Sequence, residues 1–142
     1  MRSMGNTRSI RKFALVVSTV CIPLTSLILS CGKESNPTAP SDITFPDSNV
    51  SYARHVQPLF LITCATAGCH DDVTKQSALS LTTYENATAR PGIIVAGNPD
   101  GSVLVQRIEG RILPRMPFNR PPFTDNQIRG IRTWIKEGAK NN

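Results

Sequence analysis

At 142 residues, with 39% hydrophobic and 18% charged residues, the chain has room for one small globular domain and an attached segment, not for two full cores. Its formal net charge of +6 raises the question of a nucleic-acid partner, but residues 1–30 hold Arg2, Arg8, Arg11 and Lys12 and no acidic residue. Taking those four from the 16 basic residues leaves 12 against 10 acidic ones, a net charge of +2, and excludes a nucleic-acid-binding reading of the rest.

The basic start is followed by "FALVVSTVCIPLTSLILS", an apolar run broken by Pro23 and hydroxyl residues. That order is the order of a bacterial export signal, and residues 1–30 are set aside from the fold. Ile28, Ser30 and Cys31 at its end resemble the lipobox of bacterial lipoproteins. The resemblance implies cleavage before Cys31, acylation of its thiol, and a domain held at a membrane of the cell envelope, facing the periplasm or the outer membrane. A transmembrane anchor of about 18 residues is the alternative, and it barely meets the length a span requires. Residues 31–49, rich in Ser, Pro, Asn and Asp without apolar periodicity, read as a flexible tether, which leaves 50–142 as the folded domain.

In "VSYARHVQPLFLITC" the apolar positions Tyr52, Val56, Leu59 and Phe60 follow helical spacing, and Pro58 predicts a start or kink there. "LSLTTYENATA" offers Thr82 or Thr83 as the N-cap of a brief helix ending before Pro91. "SVLVQRIEG" predicts a short helix capped by Ser102 and closed by Gly110. The proline-dense "RILPRMPFNRPPF" excludes a continuous helix or a central strand. The last segment, "TDNQIRGIRTWIKEGAK", opens with the capping-box pair Thr124 and Gln127, puts Ile128, Ile131, Trp134 and Ile135 on one face, and stops at Gly138. The expected fold is therefore all-α, with three to five short helices and long loops. It has few large side chains for its size, a deficit that a bulky apolar cofactor would make up.

The chemistry concentrates in "CATAGCH", where Cys64 and Cys69 flank four small residues and His70 follows directly. In an exported protein thiols do not persist unbonded. Cys21 leaves with the signal and Cys31 goes to lipid, so this pair is left with a disulfide, a metal or a haem. The haem-attachment pattern C-x-x-C-H has a two-residue gap. Here the wider gap alters the reach of Cys64 without moving Cys69 from His70, and Gly68 permits the backbone angles that a bulged loop needs. An axial partner is available in Met116, the only methionine after the signal, set between Pro114 and Pro117. A disulfide loop, a zinc site made of Cys64, Cys69, His70 and His55, and His55 as the distal ligand in place of Met116 are the competing assignments. Asp71 and Asp72 read as solvated. Arg111, Arg115 and Arg120 flank the Met116 loop and could meet haem propionates or an acidic redox partner.

"QPLFLITCATAGCH", "LSLTTYENA", "GNPDGSVLVQRI", "RMPF" and "IRTWIKEGA" follow, in this order, the pattern of small class I c-type cytochrome domains of bacterial envelope proteins. The chain resembles that family over residues 50–139. The resemblance implies one covalently bound haem c on Cys64 and Cys69, His70 as proximal ligand, Met116 as distal ligand, and first and last helices packed through Phe60 and Trp134. It implies an electron carrier and not an enzyme, with redox proteins as donor and acceptor and no small-molecule substrate. A haem-based sensor or peroxidase-like domain and a haem-free, disulfide-closed binding lipoprotein are the alternatives.

Overall fold

The first helical segment shows how one proline shapes the start of the domain. Ser51 caps it, its hydroxyl accepting a hydrogen bond from the Arg54 amide at 3.2 Å. Pro58 has no N–H to return to the preceding turn, and the backbone of Tyr52–Val56 widens into a π-helical turn before continuing as α1, Gln57–Thr63. The Gln57 amide accordingly reaches back to the Tyr52 carbonyl.

The structure, a computed structural model, describes residues 39–142. The expected signal 1–30, Cys31 and the start of the tether lie outside the described residues. Three more helices follow: α2, Tyr84–Thr88; α3, Val103–Ile108; and α4, Asp125–Lys136. Among the described residues there is no strand, and no helix is long and apolar enough to cross a membrane. Thr83, one of the two expected caps of α2, accepts from the Asn86 amide at 3.2 Å. In α4 both bonds of the capping box form, Gln127 N to Thr124 Oγ1 at 3.3 Å and Thr124 N to Gln127 Oε1 at 3.0 Å.

Ser102 departs from its expected role. It stands at the N-cap of α3, but its buried hydroxyl does not cap the helix. It accepts from the Val95 amide at 2.9 Å and donates to the Asn98 carbonyl at 2.9 Å, fastening the preceding loop to the helix instead. Gly110, at φ +76°, closes α3 as expected.

The core lies between α4 and the first helical segment. Trp134, Ile131 and Ile135 are fully buried, as are Val56, Leu59 and Phe60. The ring contact of Trp134 is with Tyr52, at 5.5 Å between centroids, and Phe60 is buried in the same core cluster. Glu137 adds to this junction by accepting from the amides of Asn49 at 2.7 Å and Val50 at 2.9 Å. Asn142 accepts from the amides of Tyr52 and Ala53, satisfying donors that a helix start leaves unpaired.

The expected tether is corrected over its second half. Ile43 and Phe45 are buried, and residues 40–45 bind to α4. Asn126 exchanges two hydrogen bonds with the Phe45 backbone, and Gln127 donates to the Pro40 carbonyl at 2.7 Å. The reason is steric as well as polar. Gly130 has no side chain, and a Cβ there would come within 2.1 Å of the Phe45 ring, so the aromatic ring occupies the space that any other residue would fill.

Candidate functional site

The loop carrying the two cysteines is built on the end of α1. Cys64 is the C-cap residue of that helix, and its carbonyl accepts from the His70 amide at 3.0 Å, which closes the "CATAGCH" loop on itself. Within it the Cys69 amide returns to the Thr66 carbonyl at 3.0 Å across a turn in which Gly68 takes φ +82°. The four-residue gap is thus absorbed by one tight turn, with Cys69 and His70 leaving it together.

Asp71 braces this turn from behind and is more than a solvated charge. Its carboxylate accepts from the amides of Gly68 at 2.9 Å and Val73 at 2.8 Å, from the Thr74 amide, and from the Thr74 hydroxyl at 3.1 Å. These bonds, the Thr74 amide foremost, hold its pKa below the ordinary carboxylate value. Asp72 likewise gathers Ser80, Thr82 and Asn86, and the Ser80 and Thr82 hydroxyls lower its pKa. Because Asp71 is depressed in the folded state, its contribution is complete above the ordinary carboxylate pKa of about 4 and is lost as pH falls through the folded value. The stability difference between the native chain and Asp71→Asn should therefore shrink between pH 6 and pH 3 in urea unfolding. A difference constant across that range would remove Asp71 from this role.

His70 is oriented by its own ring. Its Nδ1 lies 3.2 Å from the Leu79 carbonyl, which can only accept, so in the neutral ring Nδ1 carries the proton and Nε2 the lone pair. This is the arrangement in which a metal-ligating histidine is usually held. Cys64 is buried, and burial foremost pushes its thiol up to about 11, with nearby Cys69 adding to the rise; Thr63 and Arg120 act in the opposite direction. Both Cys64 and Cys69 are free thiols.

Cys64, Cys69, His70 and Met116 all line one cavity of about 640 Å³. That volume falls within the range of roughly 300–1,000 Å³ typical of cofactor and ligand sites. Leu79, Leu81, Ile93, Leu104 and Ile108 supply its apolar wall. Met116 is half-buried and packs against the core, so it is both gap-filler and cavity-lining thioether. His55 is not part of this lining. Its Nδ1 accepts from the Ser51 amide at 3.0 Å, and its ring lies 5.8 Å from that of Phe45, so neither the four-residue zinc set nor the alternative distal ligand is assembled. Among the described residues no group of three or more His, Cys, Asp or Glu is placed to hold a metal ion.

The cavity also holds charge of one sign. Among the described residues, Arg90, Arg107 and Arg120 line it and no carboxylate does. Their bonds go to neutral groups: Arg90 to the Ser77 carbonyl at 2.6 Å, Arg107 to that of Pro114 at 3.2 Å, and Arg120 to the Thr66 hydroxyl at 3.2 Å. Of the three arginines singled out in the sequence, only Arg120 reaches the cavity. Arg111 is spent on Glu109 and Asp100, which also bind Arg132, and Arg115 lines the outer surface of the Met116 loop. Two thiols, an imidazole with a free Nε2, a thioether, an apolar wall and unbalanced guanidinium charge are a donor set that suits haem c, whose ring is apolar and whose two propionates are anionic.

A family model described as Planctomycete cytochrome C matches residues 67–118. The matched span includes Cys69, His70, Arg107 and Met116 and begins after Cys64. No curated protein and no solved structure matches the chain. The match, with the four helices and the lack of strands among the described residues, makes this a small all-α, cytochrome c-like fold.

Proposed function

We propose that the chain is a monohaem c-type cytochrome that carries single electrons, exported and lipid-anchored through Cys31, in the periplasm or at the outer membrane. The observation that carries this reading is the single cavity lined by Cys64, Cys69, His70 and Met116, three of which fall within the matched cytochrome segment. The two thiols are the groups for covalent attachment. His70 is the proximal ligand, its Nδ1–H tied to Leu79 so that Nε2 faces the task of ligation. Met116 is the distal ligand. Bound there, haem supplies a one-electron iron couple.

The chain's own residues set the conditions for that couple. With His70 and Met116 both holding the haem, no ligand position would be left for a substrate, which suits a carrier rather than an enzyme. Thioether ligation and the apolar wall of Leu79, Leu81, Leu104 and Ile108 would favour a raised potential, and the guanidinium groups of Arg90 and Arg120 would suit the anionic propionates. Redox partners meet the loop beside the cavity, where Leu113 and Phe118 are 80% and 60% exposed next to Arg115 and Arg120. That surface suits a brief encounter with an apolar patch bordered by acidic residues.

The test is the mass and the reduced-minus-oxidised absorption spectrum of the full chain, exported in a host with a cytochrome c maturation system. The expected product is one haem heavier than the processed polypeptide after denaturation and shows sharp c-type bands. A colourless product two hydrogens lighter than the reduced chain, from a host that matures other c-type cytochromes normally, would replace this reading with a disulfide-closed binding protein.

A further inference from the structure

The loop bearing Met116 hangs from the end of α3. The last carbonyls of a helix have no partner within it. Here two of them hold the loop: Gln106 O accepts from the amides of Arg111 at 2.9 Å and Ile112 at 3.3 Å, and Arg107 O accepts from the Met116 amide at 3.0 Å. Pro114 and Pro117 have no amide to give, so the Met116 N–H is one of only two backbone donors in residues 114–117. Arg107 then acts a second time. Its guanidinium donates to the Pro114 carbonyl at 3.2 Å, two residues before Met116. One residue therefore grips the segment 114–116 at both ends, by its backbone and by its side chain.

No other arginine of the cavity is used in this way. Arg90 binds the loop at Ser77 and Arg120 binds Thr66 in the cysteine loop, so neither touches the backbone beside Met116. Arg107 is half-buried and finds no carboxylate partner among the described residues, in contrast to Arg111 and Arg132. A charged donor given to a neutral carbonyl contributes more than a neutral donor would.

We propose that Arg107 is the positioning residue of Met116: its guanidinium, acting on the Pro114 carbonyl, keeps the thioether at the cavity against release of the loop. The proposal rests on the reading of Met116 as distal ligand. Arg107 touches no reacting atom in this role; it acts through Met116.

The experiment compares full-length haem-loaded chains carrying Arg107→Met, Arg107→Gln and Arg107→Lys with the native chain. It follows the ferric thioether-to-iron charge-transfer absorption and the affinity for added imidazole, which competes with Met116. Arg107→Met and Arg107→Gln should retain covalent haem, lose much of that absorption and bind imidazole about tenfold or more tightly, as expected for loss of one charged hydrogen bond. Arg107→Lys, which keeps a charge and a donor, should lie between them and the native chain. In a Met116→Ala background the same Arg107 changes should alter imidazole affinity less than about twofold, because the group they act through is gone. Native affinity in both neutral variants, or an equal gain with and without Met116, would overturn the proposal. Met116→Ala that carries haem but binds imidazole as the native chain does would instead overturn the distal-ligand reading beneath it.

Discussion

A chain carrying Cys64→Ser together with Cys69→Ser should go from one haem retained after denaturation to none. The two sulfurs are the thiols that line the cavity, and each sits where a different constraint holds it: Cys64 on the end of α1, Cys69 on the Thr66–Cys69 turn. Serine keeps the size and the local hydrogen bonding of both positions but forms no thioether. His70 and Met116 remain, so the folded double variant should still take up haem reversibly, and acidified solvent should extract it. Mass spectrometry of the denatured protein separates the two states, since only a covalent link survives. The single variants are informative as well, because one sulfur suffices for one link, and each should keep haem with a shifted absorption maximum. Haem that survives denaturation in the double variant would show that attachment runs through other residues. An uncoloured double variant that stays folded would deny His70 and Met116 their roles as ligands.

What the sequence made legible is what depends on near neighbours along the chain. The capping box of Thr124 and Gln127, the Thr83 cap and the closing Gly110 are interactions across three or four residues, and local pattern suffices to find them. Cys69 and His70 are adjacent, and Met116 stood out because the domain has no other methionine. The strap at residues 40–45 was hidden for the opposite reason. Ile43 and Phe45 are two apolar residues in a polar, proline-bearing stretch, and what fixes them is a vacancy at Gly130 more than eighty positions away. An isolated glycine within an apolar helix pattern was the available signal, since a helix interior rarely bears that loss without a packing reason.

The site divides along the same line. Which atoms could bind a cofactor was readable, but how they are held was not. Asp71 and Asp72 look like any exposed carboxylates until the loop folds back and offers them amides and hydroxyls. Nothing in the sequence assigned Arg107 and Arg90 a role, and only the fold aims them into the cavity while Arg111 turns away to Glu109 and Asp100. Ser102 shows how tertiary demand overrides a local preference, because the loop at Val95–Asn98 competes with the helix end for the same hydroxyl.

Trp134→Ala should lower stability by about 3–5 kcal/mol, the range for emptying a buried large aromatic site. In a domain of this size that corresponds to a fall of roughly 12–40 °C in the midpoint of thermal unfolding. The loss has two parts. The indole is fully buried against Tyr52, and its Nε1–H donates to the Lys140 carbonyl at 2.9 Å, fixing the residues that follow α4. Trp134→Phe keeps much of the packing and forfeits that bond, so it should cost about 1–2 kcal/mol. Tyr52, on the other side of the contact, behaves differently. Its hydroxyl is the one buried side-chain polar atom without a partner among the described residues, and burial foremost pushes its pKa up to about 12. Tyr52→Phe removes an unsatisfied group while keeping the rings against Trp134 and Tyr84, and it should leave stability unchanged or raise it by about 1 kcal/mol. Calorimetry of the three haem-loaded variants decides the point. A large loss in Tyr52→Phe would mean that the hydroxyl has a partner in the loaded protein, and a small loss in Trp134→Ala would mean that the Tyr52–Trp134 contact does not join the first helical segment to α4.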